Sequence, residues 1–216
     1  MRPSRPINLP LREVPVPASR SPADPMASVT ITISSPTWLL RGLAVLMAPA
    51  MVIIMGIDLR IRGQERLLIH GIADEIAHVL TAVIVLSVFY AIGYRVNWIA
   101  GMIGGMLLDA DYVLQMENVV ESVAGTGRGA IHTIGPTLVV LALGVLLPPL
   151  RTVLLSLGIG MLSHLIRDSA TASTPLMWPV SDYLFHLRYS LYLTFMVACT
   201  VVTTGVVALG ARPPRR

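Results

Sequence analysis

Between residues 38 and 209 the chain alternates long apolar runs with short polar segments. Each run is close to the roughly 20 residues that an α-helix needs to cross the hydrocarbon core of a membrane. The pattern predicts six spans, at 38–57, 67–90, 98–114, 130–147, 152–168 and 189–209. The expected fold is therefore all-α, a polytopic membrane helical bundle.

The ends of the chain differ from this pattern. Residues 1–35 are rich in Pro, Arg and Ser and show no sustained apolar period, which predicts a disordered tail. Residues 36–210 are expected to form a single transmembrane helical domain, followed by an Arg-rich tail at 211–216. Because Met26 precedes the first apolar run, translation starting there is an alternative to Met1.

Composition supports a membrane protein. The chain is 54% hydrophobic and 13% charged, whereas soluble domains carry about 25% charged residues. A net charge of +4 diluted in this much apolar sequence does not favour nucleic acid, so membrane lipids are the expected partners. Cys199 is the single cysteine, which excludes an intramolecular disulfide and a CxxC metal site. The sequence leaves the oligomeric state open.

The arginines indicate an orientation, since cytoplasmic loops are enriched in basic residues. With both termini inside, ten arginines lie on the inner side and six on the outer side. We therefore expect a multi-pass protein of the bacterial inner (cytoplasmic) membrane with cytoplasmic termini.

Ionisable residues gather on one side of the predicted bundle. Because successive spans run in opposite directions, the start of an even-numbered span lies beside the end of an odd-numbered one. His70, Asp74, Glu75, His78, Asp109, Asp111, His132, His164 and Asp168 all occupy such positions. On the arginine count this is the extracytoplasmic side.

The spacing of these residues places several on shared helical faces. His70, Asp74 and His78 are four residues apart, as are His164 and Asp168, so each set stacks on one face of a helix. A His and a carboxylate one turn apart can both bind an ion, or the carboxylate can orient the imidazole.

Asp109 and Asp111 are two residues apart, which is about 200° around an ideal helix. They can face one site only where the helix ends, and Asp109 is expected to be the inward one. The preceding segment, "GMIGGMLLDAD", is rich in glycine, which permits close packing of neighbouring helices.

A carboxylate inside a span costs about 2.5–3.5 kcal/mol on insertion scales, so this cluster requires counter-charge. Arg128, Arg167 and Arg66 are too few to supply it, and Arg167 is expected to point to a different face and reach the headgroups. A divalent metal would neutralise two carboxylates and use neutral imidazoles as ligands. Mixed His and carboxylate ligands favour zinc, with manganese or iron as alternatives.

Five short motifs carry a resemblance: "ADEIAHVLTAVIVL", "LLDADYVL", "RGAIHT", "SHLIRD" and "LMWPVSD". In this order, across residues 67–182, the chain resembles the YdjM-like family of predicted membrane-bound metal-dependent hydrolases, some of them LexA-regulated. The resemblance implies that His78, Asp109, Asp111, His132, His164 and Asp168 bind metal, with Glu75 as a partner. Gly127 and Tyr112 stand where the family often has His, so the resemblance implies fewer ligands, and with them a single metal or a weaker site, which argues against a two-metal mechanism.

The leading hypothesis is a metal-dependent hydrolase that cleaves a phosphoester or ester, including lipid-linked ones, with metal-activated water. Glu75 or Asp111 would accept the water proton. His70, Asp74 and Arg128 are secondary candidates for the site. Alternatively, a non-enzymatic membrane protein would bind or transport a divalent cation or protons through the same cluster, or the polar residues would only pair between helices. The substrate, small molecule or lipid, is not specified by the sequence.

Overall fold

The computed structural model describes residues 37–61, 68–110 and 130–209. These ranges contain six α-helices and no β-strand, which confirms the predicted all-α bundle. The helices are α1 Thr37–Ile61, α2 Leu68–Ala91, α3 Trp98–Leu107, α4 Ile134–Leu146, α5 Arg151–Thr171 and α6 Tyr189–Ala208. The tails predicted at 1–35 and 211–216 lie outside the described residues.

Four of these helices, α1, α2, α5 and α6, are long and apolar enough to cross a membrane. In contrast, α4 has 13 residues and is about 20 Å long, less than the hydrocarbon thickness. The span expected at 130–147 begins too early, because Ala130–His132 form a separate 3₁₀ turn, whereas its end agrees with α4 to within one residue and is followed by a 3₁₀ turn at Pro148–Leu150. The last residues of the span expected at 98–114 lie outside the described ranges.

Helices α2 and α5 form the centre of the bundle. Helix α5 packs against α2, α3 and α4, while α1 and α6 pack on α2. The buried core between α1, α2 and α6 includes Ile54, Ala77, Ile84, Tyr192 and Met196. Because α2 and α5 also carry most of the ionisable residues of the bundle, the packing brings those residues together.

Glycines allow α3 to approach α5 at backbone distance. A Cβ atom added at Gly104 would overlap the carbonyl oxygen of Leu157, and one added at Gly160 would overlap the carbonyl oxygen of Gly101. This agrees with the close packing expected from the glycine-rich segment. The contact fixes the separation of the two helices just before each reaches its ionisable residues.

Substituting Gly160 with alanine is expected to destabilise the protein by about 1–3 kcal/mol, because the new methyl group meets a backbone atom that has no rotamer to change. The matched control is Gly56→Ala on α1, where an added Cβ has no atom within 4 Å. That variant is expected to gain up to about 1 kcal/mol from helix propensity. Denaturant titration in detergent micelles measures both, and equal effects of the two variants would contradict the close contact.

The segment after α5 folds back over the same end of the bundle. Thr174 pairs with Phe185 through backbone hydrogen bonds, and Leu187 N–H donates to the Ser169 carbonyl at 2.6 Å. The Ile134 N–H donates to the Leu176 carbonyl at 2.9 Å, which ties this segment to the start of α4. The segment therefore holds the start of α4 and the end of α5 in a fixed relative position.

Candidate metal centre

One donor atom from each of four side chains converges on a single point beside the end of α3. His132 Nε2 lies 3.3 Å from His164 Nε2. His132 Nε2 lies 3.2 Å from Asp109 Oδ1 and 3.5 Å from Asp168 Oδ2. His164 Nε2 lies 3.7 Å and 3.2 Å from the same two oxygens. All four donor atoms lie within 4.8 Å of one another.

These separations fit a tetrahedral metal site. Zinc holds nitrogen and oxygen ligands at about 2.0–2.2 Å, which places tetrahedral neighbours about 3.4 Å apart. The five donor–donor distances given above run from 3.2 to 3.7 Å. The residues that the sequence predicted to converge therefore do so at ligand spacing, while their role as metal ligands stays a prediction.

A backbone hydrogen bond sets the tautomer of His164. Its Nδ1 lies 2.7 Å from the carbonyl oxygen of Gly105, which can only accept, so Nδ1 carries the hydrogen and donates. The Gly105 carbonyl is available because α3 ends at Leu107 and the Asp109 N–H donates to Met106 instead. In the neutral ring Nε2 then presents its lone pair to the convergence point, as a metal ligand does.

His78 approaches the same carboxylates from α2. Its ring is fully buried and stacks on His164, with centroids 3.7 Å apart and planes 12° from parallel. His78 Nε2 lies 3.2 Å from Asp168 Oδ1, 3.7 Å from Asp109 Oδ2 and 3.9 Å from Asp74 Oδ2. Neither ring nitrogen makes a hydrogen bond within the described ranges. Asp74, His78 and Asp109 thus form a second group at ligand spacing.

Arg167 lies beneath this centre, and the expectation that it reaches the headgroups is wrong. It follows His164 by three residues, about 60° around the helix, so both side chains face inward. The guanidinium is 1% exposed, donates through Nη2 to Asp58 Oδ1, and places Nη1 2.7 Å from Asp74 Oδ1. Tyr189 donates its hydroxyl to Asp58 Oδ2 at 2.9 Å. Arg167 therefore fixes Asp74 beside His78.

Glu75 lies at the edge of the centre, next to Asp74 on α2, and is half-buried. Its Oε2 is buried and makes no hydrogen bond to any residue that the structure describes.

Three candidates from the sequence fall outside what the structure describes: Asp111, Arg128 and the side chain of His70. Conversely, sequence reasoning missed Asp58, which lies one residue beyond the first predicted span. The alternation of spans already contained the necessary signal, because the end of span one lies on the same side of the bundle as the other ionisable residues. His132 is not in the first turn of a span but in the 3₁₀ turn ahead of α4.

Comparison with known proteins gives one match. No curated protein and no solved structure matches the chain. The family model described as YdjM inner membrane protein matches residues 74–215, about two thirds of the chain and all of the described centre. With its membrane-length helices and its convergent His and Asp side chains, the chain belongs to the YdjM inner membrane protein family.

Proposed function

We propose that this protein is a membrane-embedded, metal-dependent hydrolase that cleaves a phosphoester or ester. The observation that carries the proposal is the spacing of His132, His164, Asp109 and Asp168, whose donor atoms are separated as tetrahedral metal ligands are. Zinc suits this mixed nitrogen and oxygen set, with manganese or iron as alternatives. When bound, the cation supplies a water acidic enough to lose its proton near neutral pH and polarises the scissile ester.

In this proposal Glu75 accepts a proton from the attacking water. Its Oε2 is buried without a hydrogen-bond partner among the described residues, and it adjoins Asp74, a member of the centre, on α2. The water oxygen bonds to phosphorus or to the carbonyl carbon, the bond to the leaving oxygen breaks, and that oxygen takes up the proton from Glu75. Asp111 remains a second candidate for this role from the sequence alone.

An apolar groove supports a lipid-linked substrate. It has a volume of about 380 Å³, within the roughly 300–1,000 Å³ range of small-molecule sites. Its lining residues are Ile72, Ile76, Val79, Leu80, Met106 and, as its one ionisable member, Glu75. Ile72, Ile76 and Met106 are exposed on the outer surface of α2 and α3, so the groove opens sideways toward lipid. A hydrocarbon chain in it would place an attached ester beside Glu75.

The test is hydrolysis of paired substrates, each phosphoester or carboxylic ester offered with a short and a long alkyl chain. Purified protein in detergent is stripped with chelator, then resupplied with Zn²⁺ or Mn²⁺. Activity is expected only after metal is restored, and kcat/KM is expected to be higher for the long-chain member of a pair.

Glu75→Gln is expected to lower kcat by about 100-fold or more, the typical contribution of a positioned proton acceptor, while metal content stays at the wild-type value. Asp182→Asn, an exposed carboxylate in the segment after α5, is the matched control and should leave kcat unchanged. Metal-dependent flux into vesicles without turnover would refute the hydrolase and favour a cation carrier.

A further inference from the structure

We propose that the centre holds two divalent cations, bridged by Asp109 and Asp168. His132 and His164 complete the first position, and His78 with Asp74 completes the second. The inference deepens the proposed function, on which it rests for its metal. It differs from the sequence expectation of a single metal or a weaker site, which followed from Gly127 and Tyr112 standing at positions of family histidines.

Asp109 and Asp168 each direct one carboxylate oxygen to the His132 and His164 pair and the other to His78. Asp109 presents Oδ1 to His132 and His164 and Oδ2 to His78. Asp168 presents Oδ2 to the same pair and Oδ1 to His78. A carboxylate that gives one oxygen to each of two ligand sets has the geometry of a bridge between two cations. Two-metal hydrolytic sites, with cations about 3.5–4 Å apart, are a common arrangement for phosphoester cleavage.

The environment of His78 also favours a cation at the second position. His78 is fully buried, and its Nε2 faces three carboxylate oxygens at 3.2–3.9 Å while no atom of the described residues hydrogen-bonds to the ring. A buried imidazole without hydrogen bonds is costly, because both nitrogens have lost water. A cation between Nε2 and these oxygens would satisfy the nitrogen and the carboxylates at once.

Arg167 contacts only one of the two carboxylate oxygens of Asp74. The guanidinium takes Oδ1 at 2.7 Å and leaves Oδ2 facing His78. The arginine thus orients a ligand from behind, as residues outside the coordination shell commonly do. The single positive charge of Arg167 does not neutralise the carboxylates near it. With neutral imidazoles, Arg167 together with Asp58, Asp74, Asp109 and Asp168 carries a net charge of −3.

Metal stoichiometry tests the inference. Protein in detergent is saturated with Zn²⁺ or Mn²⁺, desalted, and its metal per chain is measured by elemental analysis. Two ions per wild-type chain are expected, and the Mn²⁺ form should show the electron paramagnetic resonance spectrum of an exchange-coupled pair. One ion per chain with an uncoupled Mn²⁺ spectrum would overturn the second position but leave a one-metal hydrolase standing. No bound ion would overturn both proposals.

Variants assign the positions. His78→Ala is expected to bind one ion and lose the coupled spectrum, because the His132 and His164 position remains. The matched control, His186→Ala, removes an exposed imidazole and should still bind two. Retention of two ions by His78→Ala would overturn the assignment. If His78→Ala does not fold, the wild-type stoichiometry and spectrum still decide the number of cations.

Discussion

Asp168→Asn is expected to abolish metal binding and hydrolysis together. Asp168 contacts all three imidazoles, with its two oxygens 3.2–3.5 Å from their Nε2 atoms, and is buried on α5. Asparagine has nearly the same shape, but it lacks the negative charge and can offer only one oxygen. Loss of a ligand should reduce metal affinity by more than the roughly 10–100-fold that follows mutation of a residue outside the coordination shell.

Thermal unfolding separates this loss from misfolding. Saturating Zn²⁺ should raise the Tm of the wild type, since a ligand that binds the folded state stabilises it by mass action. The same addition should leave the Tm of Asp168→Asn unchanged, with hydrolysis at background. Asp182→Asn, which lies in an exposed segment, should keep both the Tm shift and the activity. A Zn²⁺-dependent Tm shift of wild-type size in Asp168→Asn would remove this carboxylate from the ligand set.

Arg167→Met is expected to cost about 3–5 kcal/mol of folding free energy, because breaking a buried ion pair leaves an uncompensated charge. Most of the loss should come from Asp58, which is as buried as Arg167, and less from Asp74, which is 36% exposed. Methionine retains much of the side-chain volume, so the effect reports charge more than packing. Denaturant titration in micelles measures it.

Two further variants test the cause of that loss. The double variant Asp58→Asn with Arg167→Met should recover part of the stability, since the unpaired carboxylate is then neutral. Arg60→Met, at an exposed arginine on α1, should change stability by less than about 0.5 kcal/mol. A loss below about 1 kcal/mol in Arg167→Met would show that the buried pair contributes little.

Much of the bundle follows from apolar run length, because a membrane requires spans of a set length. The convergence of His78, Asp109, His132, His164 and Asp168 also follows from the sequence, since alternating spans bring their ends together.

The details that the sequence did not predict depend on the direction in which a side chain points, not on the position of its residue along the chain. Arg167 was expected to face the headgroups, yet it reaches across to α1 and α2, where Asp58 and Asp74 attract it. The division of the oxygens of Asp109 and Asp168 between two imidazole sets depends on side-chain rotation, which spacing along a chain does not specify. The 3₁₀ turn at His132 shortens α4, an outcome that apolar composition alone does not indicate.

The end of α3 has a consequence for how this protein can be changed. An α-helix that stops inside an apolar bundle leaves carbonyl groups without partners, and each unsatisfied group costs several kcal/mol where water is scarce. Here the Gly105 carbonyl accepts the Nδ1 hydrogen of His164, and the Asp109 N–H turns back to Met106. Any substitution that extends α3 by one turn would reclaim the Gly105 carbonyl, rotate Asp109 and release His164. Metal affinity should therefore depend on where α3 ends, because the carbonyl group that a longer helix would use is the one that orients His164.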